Sequence, residues 1–275
     1  MSITIKEALN SATLPLIEAR ILLQLALNHA SRTYLIVHAD EKLTLPQQQS
    51  FFAFVQRRLK GEPIAYITQE KEFWGRLFIC KPGVLIPRSD TETLVETALH
   101  HLDPKKEAWV ADLGCGSGIL GITIASERPL TRVLMVDSSL QALKIAQENI
   151  QKHNVEDRVC LLQSNWLAAV SCKPQFDMII SNPPYISAND PHLQEGDLRF
   201  EPIQALVAKH EGQEDLQHLI NTSEAYLKSD GWLWLEHGYN QSQACYSYFN
   251  RSYWKKPQHK HDLAGWIRVT GAQKI

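Results

Sequence analysis

The sequence predicts an α/β protein in which helices cover a mostly parallel β-sheet, with a small helical domain in front of it. Two observations carry this prediction. Between residues 104 and 236, short apolar runs alternate with helical stretches, which is typical of a parallel sheet covered on both faces. In the first 60 residues, apolar positions recur at helical spacing, notably from Leu16 to Leu27 and over residues 46–59. A length of 275 residues is sufficient for two such domains.

A β-hairpin is predicted to link the two domains. Residues 77–79 and 84–86 form two short apolar runs, and Pro82 and Gly83 form the break between them. We therefore expect a helical domain over residues 1–70, a hairpin linker over residues 71–88 and the sheet domain over residues 89–275.

In the sheet domain, Asp90 is the expected N-cap of the first helix, and Ser138 or Ser139 is expected to open a later one. In parallel sheets, ligands bind beyond the carboxyl ends of the strands, so motifs at strand ends matter most. The predicted strands cover residues 109–113, 133–136, 159–162, 176–181 and 232–236, and the predicted helices cover residues 119–126, 140–150 and 214–228.

Composition limits the classes of protein that fit. Hydrophobic residues make up 44% and charged residues 21%, which is typical of a globular chain, and no apolar run approaches the roughly 20 residues of a membrane span. The five cysteines are scattered, without metal-binding spacing, so we expect reduced thiols and no metal. The first ten residues resemble no secretory signal, so we expect a cytoplasmic location without a membrane partner.

Charge is distributed unevenly along the chain. Residues 1–88 carry 11 basic and 7 acidic side chains, whereas residues 89–275 carry 17 basic and 23 acidic side chains. The acidic excess in the sheet domain argues mildly against nucleic acid as the direct substrate.

Alternate glycines follow the first strand of the sheet domain, in the segment Gly114-Cys115-Gly116-Ser117-Gly118. Glycines at this spacing allow a tight turn and let a ligand approach bare backbone. Asp137 follows the next strand, 19 residues after Gly118, where an acidic side chain can accept both hydroxyls of a ribose.

Two cofactors fit this loop, and a third interpretation is that the glycines serve only a tight turn. S-adenosylmethionine has no phosphate, so the loop need only leave space for its amino-acid part, and Asp112 can face its ammonium group through water. Gly116, Gly118 and Gly121 also match a dinucleotide fingerprint. That pattern begins late relative to the strand, however, and the Asp112 anion is unfavourable beside a pyrophosphate. The pattern favours S-adenosylmethionine.

The strand over residues 176–181 runs directly into Asn182-Pro183-Pro184-Tyr185. The two prolines end the strand and leave a stiff edge that offers carbonyl oxygens. We expect Asn182 Oδ1 and the Pro183 carbonyl to accept the two hydrogens of a planar –NH₂ group, and Tyr185 to cover its flat face. The nitrogen lone pair would then point at a sulfonium methyl group. Asn182 and Tyr185 are therefore the candidate catalytic residues, because they would orient the amide and supply acceptor dipoles. Taken alone, the segment also fits a strand-ending turn.

These motifs resemble the class I methyltransferases and, more narrowly, the protein-glutamine methyltransferases of peptide-chain release factors (the PrmC/HemK type). The Asn-Pro-Pro-Tyr segment is shared with adenine- and cytosine-amine methyltransferases, so the front domain and the hairpin motifs make the narrower match specific. The resemblance rests on the glycine loop and on residues 61–67, 72–75, 85–88, 90–92, 182–186, 201–202, 205–206 and 235–238.

The resemblance implies a Rossmann-like domain with a seven-stranded sheet, S-adenosylmethionine as co-substrate and the glutamine amide in the Gly-Gly-Gln loop of class 1 release factors as substrate. It implies that the helical domain docks the release factor, and we expect a monomer. By position, Gly114 to Gly118 and Asp137 match the cofactor site, and Trp166 matches the residue that packs against adenine. Asn182 matches the residue that touches cofactor and substrate, with Pro183, Pro184 and Tyr185 as the glutamine cradle.

Three positions depart from the family pattern: Ser89 replaces a usual proline, Asn165 a usual aspartate and Arg20 a common acidic residue. The polar segment over residues 189–199 is interpreted as a lid over the target loop. Two alternatives stay open. A nucleic-acid amine methyltransferase would need a long basic insertion for target recognition, and a non-catalytic release-factor-binding adaptor is disfavoured by the intact segment over residues 182–185.

Overall fold

The computed structural model describes residues 2–28 and 30–275. The chain divides into two compact units: Met1–Glu70 with Gln194–Phe200, and Lys71–Leu193 with Glu201–Ile275. Among the described residues, we find no helix with the length and apolar character of a membrane span.

The first unit is helical and has its own apolar core, in which Leu22, Leu23 and Phe51 are fully buried. Capping boxes at Thr4 and Thr44 begin the first and fourth helices, because each threonine side chain accepts a backbone N–H that the helix leaves unpaired. The helices are α1 (Ile5–Ser11), α2 (Leu16–Ala26), α3 (Arg32–Val37), α4 (Leu45–Leu59) and α5 (Ile64–Thr68).

The segment Gln194–Phe200, which returns to this unit from far along the chain, is held by an ion pair. Arg58 on α4 lies 3.0 Å from Asp197 and 2.9 Å from Glu18 on α2. This segment forms the second half of the predicted lid, so part of the lid packs as one piece with the helical bundle.

The hairpin lies earlier in the chain than the sequence predicted. Strands β1 (Glu70–Phe73) and β2 (Arg76–Ile79) pair across Trp74 and Gly75, which both have positive φ, 55° and 65°. Positive φ at both central residues is typical of a type I′ hairpin turn. The turn therefore lies at Trp74-Gly75, and the expected break at Pro82-Gly83 was wrong. Residues 84–86 form no strand.

The second unit is built on a seven-stranded, mostly parallel sheet, which confirms the predicted fold class. The order is β10-β11-β9-β6-β3-β4-β5, in which the five strands from β9 to β5 are parallel and β11 is antiparallel to both neighbours. The sheet strands are β3 (Ala108–Leu113), β4 (Thr131–Asp137), β5 (Val159–Gln163), β6 (Phe176–Ser181), β9 (Leu227–Glu236), β10 (Gln258–His261) and β11 (Ile267–Gln273); β7 (Ile186–Ser187) and β8 (Val207–Ala208) form a separate parallel pair.

Helices cover both faces of this sheet. Because successive side chains of a strand point to opposite faces, the β3 neighbours Val110 and Ala111 belong to two different apolar clusters. The first cluster includes residues of α6 (Glu92–His101), α7 (Ile119–Glu127) and α8 (Leu140–Lys152), and the second includes residues of α11 (Glu214–Thr222) and α12 (Ser242–Tyr248). Two short helices, α9 (Ile203–Leu206) and α10 (Lys209–Gly212), flank β8.

Two helix boundaries differ from the prediction, and a third agrees. Asp90 is not an N-cap, since a 3₁₀ turn over Ser89–Thr91 precedes α6 and the Asp90 carboxylate lies 3.1 Å from Arg268. The predicted helix over residues 214–228 ends at Thr222, because the chain must become extended by Leu227 to pair with β6. Ser139 caps α8 as expected, accepting the Ala142 N–H at 3.2 Å.

Candidate active site

The register of four adjacent strands places the predicted motifs in one row at the carboxyl edge of the sheet. Leu113 pairs with Val136 on one side and with Ser181 on the other, and Ser181 pairs with Leu235. The residues that come next along the chain are therefore neighbours across the strands: Gly114, Asp137, Asn182 and Glu236. The strand order reverses between β3 and β6, which is where a sheet of this kind leaves a crevice for ligands.

Four of the five N–H groups of the glycine loop donate to acceptors within the protein. The N–H groups of Gly114 and Cys115 both donate to the Val136 carbonyl, at 2.8 and 2.9 Å. Gly116 donates to Asp137 Oδ2 at 2.9 Å, and Gly118 donates to the Cys115 carbonyl at 2.8 Å. A phosphate site needs free backbone N–H groups that point at the ligand, so this loop is a poor pyrophosphate cradle.

Asp137 lines the cavity beside this loop and retains acceptor capacity. One oxygen accepts the Gly116 N–H and the other the Ser139 N–H, at 2.9 and 2.8 Å. A carboxylate oxygen has more than one acceptor position, so each can also take a ribose hydroxyl. Burial raises the pKa of Asp137, and the backbone hydrogen bonds oppose this rise by favouring the anion.

Asp112 does not face the cavity as the sequence suggested. Its side chain is fully buried under the loop, where Oδ2 accepts the Gly121 N–H at 2.9 Å and Oδ1 has no hydrogen-bond partner among the described residues. Burial raises the pKa of Asp112 to about 7. Asp112 therefore holds the first turn of α7 and is not a ligand-facing anion.

A cavity of about 270 Å³ opens over the carboxyl edge of the sheet. Trp166 forms one wall, so close that a Cβ added to Gly114 would lie 3.3 Å from its ring. Asp215 of α11 also lines the cavity, and burial raises the pKa of its carboxyl group. Of the predicted cofactor residues, the cavity is lined by Gly114, Cys115, Gly116, Ser117, Asp137, Trp166 and Asn182.

Gly118 lies outside this lining and serves the backbone instead. Its φ is 86°, in the left-handed region, and it is the N-cap of α7. A Cβ at this position would be strained by the backbone angle and would lie 2.7 Å from Met135 Cε, so Met135 would have to shift.

Asn182 and Pro184 line the cavity, whereas Pro183 and Tyr185 are absent from its lining. The Tyr185 ring packs against the cluster on the α11 face, and its hydroxyl donates to Glu236 Oε1 at 3.4 Å. Burial, followed by the charge of Glu236, raises the pKa of Tyr185. Gln241 helps to hold the turn over residues 182–185, because its side-chain amide donates to the Tyr185 carbonyl at 2.9 Å. The contact of Pro183 and Tyr185 with a substrate stays a prediction.

Sequence reasoning missed several residues of the cavity wall. Thr91 and Arg88 line it, and Arg88 forms an ion pair with the buried Glu201, which also accepts the Ile86 N–H at 3.0 Å. Their motifs were quoted for the resemblance, but nothing in the spacing assigned them a place. Asp215 had no signal at all, since an acidic residue in a first helical turn is ordinary. The described residues contain no group of side chains that fits a metal ion.

Comparison with known proteins agrees with this arrangement. A family profile described as the PrmC N-terminal domain matches residues 4–68, and one described as the methyltransferase small domain matches residues 88–196. Two solved structures share the fold: a methyltransferase from Pyrococcus furiosus (TM-score 0.54, 15% identity, 80% of this chain and 96% of that one) and a 16S rRNA N2 G1207 methyltransferase from T. thermophilus (TM-score 0.55, 20% identity, 75% and 50%).

Curated relatives match at higher identity. The release factor glutamine methyltransferase of Aliivibrio fischeri is 40% identical over 98% of this chain and 96% of its own length. The enzyme of the same name from Salmonella typhimurium is 46% identical over 87% of this chain and 85% of its own, and that of Escherichia coli K12 is 43% identical over 86% and 84%. The chain therefore belongs to the release factor glutamine methyltransferase family.

Proposed function

We propose that this protein transfers a methyl group from S-adenosylmethionine to the side-chain amide nitrogen of the glutamine in the Gly-Gly-Gln loop of class 1 release factors. One observation carries the proposal: Asn182 lies in the same row of strand ends as Gly114 and Asp137, in a chain 40% identical to a release factor glutamine methyltransferase over 98% of its length.

The cavity fits S-adenosylmethionine better than a dinucleotide. Four of the loop N–H groups donate to protein acceptors. The wall carries the acidic Asp137 and Asp215, and its basic residue Arg88 is paired with Glu201, so the wall disfavours a pyrophosphate. Asp137 would hold the ribose hydroxyls, Trp166 would pack against the adenine, and the bare backbone of Gly116 would leave room for the amino-acid part. When bound, S-adenosylmethionine supplies an electrophilic methyl group.

The chain's own contribution is to orient the carboxamide. Asn182 Oδ1 and the Pro183 carbonyl each accept one hydrogen of the glutamine –NH₂ group, which turns the nitrogen lone pair away from both acceptors. Tyr185, whose hydroxyl donates to Glu236, stiffens the turn over residues 182–185 and covers the flat face of the glutamine amide. Two fixed acceptors also stabilise the positive charge that develops on nitrogen as the nitrogen–carbon bond forms and the carbon–sulfur bond breaks. The nitrogen then loses one proton to water to give the neutral N-methyl amide, so no strong general base is required.

We also propose that the protein acts as a cytoplasmic monomer on a protein substrate, not on nucleic acid. The acidic balance of residues 89–275 supports a protein target over a polyanion. Multi-angle light scattering would report the mass of the particle in solution, and a dimer would contradict the monomer.

The test of function uses S-adenosylmethionine with a labelled methyl group and two forms of a purified release factor, with glutamine or alanine in the Gly-Gly-Gln loop. We expect label on the glutamine form only. Equal labelling of both forms would remove the glutamine from the proposal, and label on neither would remove the release factor.

A further inference from the structure

A chain of polar side chains leads from Asn182 through Thr91, which also lines the cavity, to the buried Glu236. Asn182 Nδ2 donates to Thr91 Oγ1 at 3.2 Å. The Thr91 hydroxyl lowers the pKa of the Glu236 carboxyl group, and Glu236 Oε1 accepts the Tyr185 hydroxyl at 3.4 Å. Thr91 and Glu236 are buried, with 1% of each exposed, so water does not compete for these groups.

The direction of these hydrogen bonds follows from the chemistry of the last member. An ionised carboxylate can only accept hydrogen bonds, and Glu236 Oε2 has no hydrogen-bond partner among the described residues, so it is open to a donor. Thr91 is the hydroxyl that lowers the pKa of this carboxyl group. Donation of its single hydrogen to Glu236 leaves Thr91 Oγ1 able only to accept from Asn182. Asn182 must then turn its –NH₂ group towards Thr91, which leaves Oδ1 for the cavity.

We propose that Glu236 and Thr91 are positioning residues which hold the Asn182 amide with its oxygen towards the cavity and so select a carboxamide over a carboxylate. The inference rests on the proposed function and deepens it. An Asn182 oxygen attracts the –NH₂ group of glutamine and repels the carboxylate of glutamate. Without the chain behind it, the amide can turn over and present –NH₂, which favours the opposite substrate.

The surroundings of Glu236 allow the ionised form. Burial raises its pKa to about 7, the nearby Asp90 also raises it, and Thr91, Arg268 and Tyr185 lower it. An assay at about pH 8 keeps the carboxyl group ionised, so that it remains a pure acceptor.

The test compares wild type with Thr91→Val, Thr91→Ser and Glu236→Gln. The substrate is a release factor with its target glutamine, and the competitor is the same protein with glutamate at that position. We expect Thr91→Val and Glu236→Gln to lower kcat/KM and to reduce the ratio of competitor Ki to substrate KM by roughly tenfold, which is about 1.4 kcal/mol. Thr91→Ser retains the hydroxyl group, so its kcat/KM and its ratio of Ki to KM should stay close to the wild-type values. Thr123→Val, which removes a buried hydroxyl on α7 away from the cavity, is the matched control and should leave the ratio unchanged.

Unchanged selectivity in Thr91→Val and Glu236→Gln would overturn the inference, even if turnover falls. If wild type methylates no release factor, the proposed function fails instead, and the inference is judged by NMR of protein labelled with ¹⁵N-asparagine. The Asn182 side-chain –NH₂ should exchange slowly in wild type and fast in Thr91→Val, and equal exchange rates would refute the positioning role.

Discussion

At the scale of single residues, Asn182 has two hydrogen-bonding ends that serve different purposes. Its nitrogen donates to Thr91 Oγ1, its side chain lines the cavity, and its oxygen is the proposed acceptor for the substrate. This division makes Asn182 the side chain on which the proposed chemistry depends most.

Asn182→Ala should therefore lower turnover by about a hundredfold, because one aligned acceptor is worth roughly 3 kcal/mol in a transition state. Single-turnover transfer of labelled methyl to the release factor measures the effect. Asn250→Ala, which changes an exposed asparagine outside the cavity lining, is the control and should retain the wild-type rate. Wild-type turnover in Asn182→Ala would show that the site is misplaced.

Asp137→Ala should act on the cofactor and not on the methyl acceptor. Loss of two charge-assisted hydrogen bonds to a ribose should weaken S-adenosylmethionine binding by roughly ten- to a hundredfold, with part of the loss coming from the released Gly116 and Ser139 N–H groups. Isothermal calorimetry measures the affinity, and Asp157→Ala, at an exposed site, is the comparison. Equal affinities for the two variants would contradict the ribose role.

At the scale of elements, the turn from β3 into α7 depends on backbone geometry that only glycine adopts easily. Gly116 and Gly118 have φ values of 55° and 86°, but only Gly118 also has close neighbours at the position of a Cβ. Alanine at either position costs about 1–2 kcal/mol for the left-handed backbone. Gly118→Ala should lower the melting temperature further than Gly116→Ala because of its clash with Met135, and calorimetric scans of both variants measure this order. Equal shifts would mean that Met135 moves aside freely.

The sequence predicted the strand-end motifs well because each is local. Adjacent residues in the sequence are enough to predict a strand followed by glycines, by Asp137 or by Asn182. Parallel pairing then aligns the carboxyl ends of these strands. The hairpin was misplaced because the strong turn signal of Pro82-Gly83 outweighed Trp74, whose positive φ no propensity favours. Thr91, in the turn before α6, and Asp215, on α11, reach the cavity only through tertiary packing against the sheet, which no local pattern encodes.

At the scale of the whole molecule, two fully buried carboxyl groups make stability depend on pH. Burial raises the pKa of both Asp112 and Glu236 to about 7, above the ordinary values of 3.8 and 4.5. Between those values and 7 the folded protein binds more protons than the unfolded chain, so the free energy of unfolding falls as pH rises.

Asp112→Asn should remove one of these contributions. Relative to wild type, its melting temperature should rise between about pH 4 and pH 7, in line with a contribution of a few kcal/mol, and change little above that range. Scanning calorimetry of both proteins across this range measures the difference. A constant difference would mean that Asp112 titrates near its ordinary pKa.

In the proposed mechanism, one row of strand ends holds both the methyl donor and the carboxamide. A crystal structure with S-adenosylhomocysteine and a Gly-Gly-Gln loop peptide would show both partners at once. We predict the glutamine nitrogen within hydrogen-bond distance of Asn182 Oδ1 and facing the thioether sulfur, with the ribose on Asp137. A glutamine bound away from Asn182, or the nucleoside outside the glycine loop, would contradict the account.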